Sequence, residues 1–212
     1  MTLRPPRRAG SSSSTPRGRT RNLRRQIQVP LRADGGLTLV VVADTHSEPH
    51  AEATRRIAAV GPDLIVHAGD IGARRVLDDL GALAPVYAVR GNIDERAPDL
   101  ADELILDLTD AAGAVALRLA VLHIGQNGPR LRADATRLAR AEGADLLVCG
   151  HSHVPFVGRD AGVVVFNPGS IGPRRFHLPI VFGVLEIAAG AMRTRHVCCE
   201  TGEPWLPAPP RP

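Results

Sequence analysis

The chain has 212 residues, 44% of them hydrophobic, a length at which one domain with a substantial core is expected. It has no apolar stretch near the ~20 residues that cross a bilayer, no apolar segment of a secretory leader, and three cysteines (Cys149, Cys198, Cys199) that form neither a disulfide framework nor a Cys-x-x-Cys zinc pattern. Nine of the 26 basic residues, all Arg, fall in residues 1–32, where there is no acid; the remainder carries 17 Arg against 22 acids, so the net charge of +4 belongs to the N-terminus and the rest is mildly acidic.

Residues 1–34 are rich in Arg, Ser and Pro without apolar periodicity, and the expectation is a disordered tail. Leu37–Ala43 is a near-continuous apolar run, as in a strand buried on both faces. A helix is predicted over Glu52–Val60, stopped by Gly61-Pro62; a strand over Asp63–Ala68; a helix over Ala73–Leu83; and a strand over Pro85–Val89. Strands follow at Glu103–Leu108 and Val115–Leu122, then a helix over Pro129–Glu142 closed by Gly143. The last strands are Asp145–Cys149, Gly162–Phe166, Ile180–Ile187 and Met192–Val197. Residues 201–212 read as a loose Pro-rich tail, with Trp205 able to tack its start onto the domain. The β-α-β-α-β first half implies parallel pairing and the strand-rich second half antiparallel pairing, so the domain at 35–200 is expected to be α/β, two packed mixed sheets with helices outside.

Five patches carry the chemistry: Asp44-Thr45-His46, Gly69-Asp70, Gly91-Asn92, His123 and Gly150-His151-Ser152-His153. Each follows a β-branched apolar run. Asp44/His46 and His151/His153 are spaced i, i+2, which in extended chain places both side chains on one side. Singly, each patch has an ordinary structural reading: Asp70 can cap the next helix, Asn92 can sit in a turn, and a lone His is usually satisfied in the core. Together they supply two carboxylates, four imidazoles and a carboxamide, enough for two divalent ions. His50, His67, His177 and His196 have no partner at metal spacing.

The order D-x-H, G-D, G-N-x-D, H, G-H-x-H resembles the calcineurin-like metallophosphoesterases, in particular their small single-domain bacterial and archaeal phosphodiesterases, over roughly Leu37 to Glu200. The resemblance implies a four-layer α/β/β/α sandwich. It further implies that Asp44, His46, Asp70 and His153 hold one ion, that Asp70, Asn92, His123 and His151 hold the other, and that Asp70 bridges them. A hydroxide shared by the ions would attack phosphorus in line, with Asp70 and Asn92 as the catalytic pair. Asn167-Pro168-Gly169-Ser170 is similar to the loop these enzymes carry beside their metals. It reads as a tight turn whose backbone N–H groups can meet a phosphate or orient a ligating His, or simply as a loop. Substrate contacts are expected from Asn92, Ser170 and Arg174. A ligand set without thiolate suits Mn²⁺, with Fe, Ni or Zn as alternatives.

Two departures matter. Where many members read G-N-H-[DE], this chain has Gly91-Asn92-Ile93-Asp94, and Ile93 cannot protonate a leaving group; Ile124 stands between His123 and Gly125. The first favours diesters. The expected substrate is therefore a small phosphodiester, and the expected location cytoplasmic, with no membrane partner. Nucleic-acid binding by the basic tail and assembly into a homo-oligomer are both left open. The rival readings are a protein-binding scaffold, since a retromer-type subunit has the same fold with a degraded metal site, and a nuclease. Seven retained ligands speak against the first; an acidic domain with only four Phe, one Tyr and one Trp speaks against the second.

Overall fold

A computed structural model of the chain describes residues 22–94, 96–188 and 190–207. The apolar run near the N-terminus forms β2 (Leu37–Val42), buried throughout except at Thr38. Its alternation separates two cores. Leu39 and Val41 enter a central cluster between two sheets, while Val40 and Val42 join the cluster beneath Ile57, Val76 and Leu80 of the first two helices. β2 lies parallel to β3 (Leu64–His67), which lies parallel to β4 (Val86–Ala88). The sheet continues on the other side of β2 through the antiparallel strands β12 (Val181–Ala188), β13 (Ala191–Cys198) and β14 (Pro204–Trp205). Helices α1 (Ala53–Val60) and α2 (Arg75–Gly81) cover its outer face.

The second sheet runs β1 (Arg24–Pro30), β5 (Glu103–Thr109), β6 (Val115–Leu122), β9 (Leu146–Val148), β11 (Val163–Asn167) and β10 (Phe156–Asp160). Leu104, Leu106, Leu119 and Val121 face the central core; Ile105, Ala120 and Leu147 face α3 (Ala133–Glu142) through Ala135, Leu138 and Ala139. The result is the expected α/β/β/α sandwich. A short ribbon, β7 (Gln126–Asn127) with β8 (Arg130–Leu131), replaces the first turn expected of the third helix.

The N-terminal boundary is corrected. Residues 24–30, expected to be disordered, form an edge strand parallel to β5 in full register from Arg24–Glu103 to Pro30–Thr109. Ile27, Val29 and Leu31 pack against the central core, and Gln26 hydrogen-bonds Asp107 at 2.7 Å. Three aliphatics at alternate positions suffice for an edge strand, whose outer side remains charged. The rest of the expected tail, residues 1–21, lies outside the described residues. At the C-terminus Trp205 tacks the start of the expected tail onto the domain, as read from the sequence: β14 pairs with β13, and the Trp205 ring meets that of His196 edge-on at 5.9 Å. Residues 208–212 lie outside the described residues.

The parallel strands β2, β3 and β4 of one sheet and β6, β9 and β11 of the other end at one rim. The five patches and the Asn167–Ser170 turn all follow those carboxyl ends, where α/β sheets bind ligands.

Candidate metal centre

The strands stop before the site, and left-handed turns aim the side chains. Asp44 (φ 56), His46 (φ 47), Asp70 (φ 57), His151 (φ 68) and His153 (φ 58) all occupy a region that L-residues avoid. Each such residue costs on the order of 1 kcal/mol, and their concentration at the expected ligands marks strain held for a purpose. The convergence of Asp44 with His46, and of His151 with His153, thus comes from kinked loops and not from extended chain. The loops are laced together. Asp44 N–H donates to Gly69 O (2.9 Å) and His46 N–H to Asp70 O (3.0 Å). Glycine is required at closest approach: a Cβ on Gly91 would lie 2.2 Å from Asp70 Oδ1, and one on Gly69 2.7 Å from His123 Nδ1.

Two groups result, Asp44 with His46 and His153, and Asp70 with His123 and His151; within each, the candidate ligand atoms lie within 4.8 Å of one another. His153 Nε2 is 3.5 Å from Asp44 Oδ1 and 3.4 Å from His46 Nε2. Asp70 spans the groups, with Oδ1 3.3 Å from His123 Nε2 and Oδ2 3.7 Å from His46 Nε2. His123 Nδ1 donates to Ala68 O at 2.8 Å, which turns Nε2 toward Asp70. That Nε2 is buried without a hydrogen-bond partner.

Burial and close contact set the charges of these groups. Burial pushes Asp44 up to about 7, with Asp70 adding to the effect against His123. Burial also opposes the charge on Asp70, but contact with His123 and the Ile93 N–H outweighs it and holds Asp70 well below the usual carboxylate range. Burial lowers His153 to about 4, so its ring stays neutral. Burial likewise lowers His46 and His151, whereas on His123 burial is outweighed by contact with Asp70 and Ala68 O, which raises the pKa. Two clustered carboxylates facing four imidazoles form a donor set that suits divalent cations.

Asn92 is exposed and opens a 3₁₀ turn, Asn92–Asp94. With His123 it lines a cleft of ≈ 610 Å³ that also takes in Asn22, Gly91 and Asp102. Two expected substrate contacts are corrected. Ser170 is buried, its Oγ donating to Asp44 O (3.0 Å) and accepting from Gly172 N–H (3.1 Å), so it braces the Asp44 loop. Arg174 is turned to Glu200 (2.6 Å) and Leu178 O; its neighbour Arg175 reaches the site instead, with Nη2 3.0 Å from His46 Nε2. In the Asn167–Ser170 turn, the Gly169 N–H is taken by Asn167 Oδ1, while Asn167 Nδ2 donates to Gly150 O (2.9 Å) and Ser152 Oγ (3.1 Å). The turn therefore braces the His151–His153 loop through the Asn167 side chain, and not through the Gly169 N–H, which Asn167 Oδ1 occupies.

Sequence reasoning gave no role to two buried residues. Asp94 accepts from three backbone N–H groups, Ile71 (3.0 Å), Gly72 (3.0 Å) and Gly91 (2.8 Å), tying the Asp70 loop to the Asn92 loop; its place in G-N-x-D was the available signal. His67 lies between Thr45 Oγ1 (3.0 Å) and the Gly69 N–H (3.2 Å), held neutral by burial with its pKa near about 3. It had no signal beyond its position inside a strand.

A two-sheet sandwich with paired carboxylate–imidazole groups at its strand ends defines a class of metal-dependent hydrolases, and the comparisons specify it. Residues 37–190 match the calcineurin-like phosphoesterase superfamily domain, and the chain belongs to that family. It is 34% identical over 143 residues to a probable metallophosphoesterase of Methanocaldococcus jannaschii, a match spanning 64% of this chain and 69% of that one. Its fold is similar to that of a conserved uncharacterized protein of Streptococcus pneumoniae described as a predicted phosphoesterase (TM-score 0.57, 20% identity, 78% of this chain and 91% of that one). It is also similar to Vps29 of Entamoeba histolytica complexed with Zn²⁺ (TM-score 0.56, 21% identity, 77% and 99%). At these identities the two structures bear on fold alone. Among the described residues, no helix is long and apolar enough to cross a membrane.

Proposed function

We propose that this metal-dependent phosphoesterase is a phosphodiesterase. The observation that carries the reading is Ile93. It stands half exposed (49%) beside Asn92, where an imidazole would be needed to protonate a departing alkoxide, and its N–H is bound to Asp70 Oδ1 at 3.2 Å. Without that acid, esters with acidic leaving groups and diesters are favoured.

Asp44, His46, Asp70 and His153 would hold one divalent ion, and Asp70, Asn92, His123 and His151 the other. Bound there, the ions supply Lewis acidity and a water acidic enough to act as nucleophile near neutral pH. The chain does the rest. Asp70 sets one carboxylate oxygen toward each group, Ala68 O fixes the His123 tautomer, and Asn167 holds the His151–His153 loop in place. Arg175 is positioned to meet the anionic phosphoryl group beside His46. The donor set of carboxylates, carboxamide and imidazoles without thiolate supports Mn²⁺ as the preferred ion.

The likeness to Vps29 gives the second reading, a scaffold that binds protein through its surface. Seven chemically intact candidate ligands favour the enzyme. The test is hydrolysis of bis(4-nitrophenyl) phosphate against 4-nitrophenyl phosphate by Mn²⁺-loaded protein. Faster cleavage of the diester is expected. Preference for the monoester would refute the diesterase reading, and inactivity on both would favour the scaffold.

A further inference from the structure

From the proposed diesterase reading, we infer that Arg175 and Phe176 form a nucleoside-phosphate subsite: Arg175 takes the phosphoryl oxygens and Phe176 is a stacking platform for the base on one arm of the diester.

The inference begins with an anomaly in aromatic usage. The chain has only four Phe, one Tyr and one Trp. Phe166 and Phe182 are fully buried in the cores, yet Phe176 is 90% exposed and has φ 52. A lone exposed apolar residue is ordinary. A bulky aromatic that is both exposed and left-handed is not, because the backbone strain returns no burial. The neighbouring contacts fix the turn that carries it. Arg174 anchors the segment to Glu200 and Leu178 O, and Leu178 N–H donates to Arg175 O (3.0 Å), closing a turn around Phe176. From that turn, Arg175 reaches His46. Phe176 is thus the chain neighbour of the residue whose guanidinium enters the site.

The surrounding rim agrees. Val154 is 46% exposed and directly follows His153, whose ring stacks on that of His46 at 5.3 Å. Val154 thus follows one residue of the Asp44, His46 and His153 group in the chain, and Phe176 follows Arg175, which contacts another. At the other end, beyond His123, lies the polar cleft lined by Asn92 and Asp102. An apolar, aromatic border at one end and a polar cleft at the other suit a diester with a flat aromatic arm and a hydrophilic arm. A single ring with one aliphatic neighbour offers a face for a planar base but no groove for an acyl chain.

Two diesters sharing one leaving group isolate the effect: thymidine 5′-(4-nitrophenyl phosphate) and ethyl 4-nitrophenyl phosphate. Wild type should prefer the thymidine diester in kcat/KM. Phe176→Ala should reduce that preference about tenfold, the order expected for one stacked base, while leaving the ethyl diester unchanged; Phe176→Trp should restore it. Arg175→Ala should impair both substrates. Saturation-transfer NMR of thymidine 5′-phosphate with metal-free protein provides a readout independent of turnover: the base protons should receive saturation from wild type and lose it with Phe176→Ala. Equal losses on both diesters, no transfer to the base protons, or preference for a long-chain alkyl diester would each overturn the subsite and leave the diesterase reading standing. Base contact without hydrolysis of either diester would sink that reading and support the subsite.

Discussion

Truncation at residue 34 should damage a protein that truncation at residue 21 leaves intact. β1 places Ile27, Val29 and Leu31 against the central core, each half-buried. Full burial of such side chains contributes about 1.5–3 kcal/mol, so three at half burial contribute about 3 kcal/mol. The part-buried Gln26–Asp107 hydrogen bond adds about 1 kcal/mol. The ion pairs of Arg24 with Glu103 and Glu142 are surface pairs and add little. Deleting residues 1–34 should therefore cost about 4 kcal/mol, a large share of a typical domain's 5–15 kcal/mol, and lower the melting temperature by about 10 °C. The loss should also reach the site. Leu23 N–H donates to Asp102 Oδ2 (2.7 Å), and Asp102 pairs with Arg90, which precedes Gly91-Asn92. Urea unfolding of the two truncations, each with and without Mn²⁺, is the assay. If deletion of residues 1–34 changed stability by less than 1 kcal/mol, the packing argument for β1 would be wrong.

Asn167→Ala removes the donors to Gly150 O and Ser152 Oγ; supports of this kind are worth about 10–100-fold in metal affinity. Calorimetric Mn²⁺ titration should show that loss, and unchanged affinity would remove Asn167 from the account. Ile93→His should raise monoesterase activity less than tenfold, because Asp94 is committed to three backbone N–H groups and cannot orient a new ring; a gain near the 10²–10⁴-fold of a well-placed acid would contradict this. The thermal stabilisation given by Mn²⁺ should grow from pH 5.5 to 8. Burial raises the Asp44 pKa to about 7, so in metal-free protein its contribution is fully present below its ordinary value near about 3.9 and is lost as pH rises through 7, while an ion favours the carboxylate. A metal-induced shift in melting temperature that stays flat over this range would count against the assignment.

The parts legible in the sequence were those where one pattern had one physical cause. Leu37–Val42 and Leu64–His67 read as strands because burial on both faces demands unbroken apolar runs. Gly61 and Gly143 marked helix ends because both helices close in the left-handed region. β1 stayed hidden because an edge strand needs only alternate apolar residues, and Arg-Arg-Gln-Ile-Gln-Val-Pro has the composition of a charged tail. β10 stayed hidden for a related reason: it is a five-residue edge strand without a fully buried position. The six carboxylates and imidazoles of the two groups were legible as a set, but the geometry that gathers them was not. Left-handed turns at Asp44, His46, Asp70, His151 and His153 are tertiary compromises that no local propensity signals. Ser170 and Arg174 failed for the same reason, since sequence proximity to a site does not fix which way a side chain turns.

The central claim is that one carboxylate, Asp70, joins two cation groups into a single phosphoesterase site. It is tested most directly by titrating Mn²⁺ into chelator-stripped protein while following bis(4-nitrophenyl) phosphate hydrolysis, for wild type and Asp70→Ala. Wild type should be inactive when stripped and reach full activity at two equivalents per chain; Asp70→Ala should lose about 10³-fold in turnover at saturating metal. Full activity in excess chelator, or near-native turnover by Asp70→Ala, would contradict it.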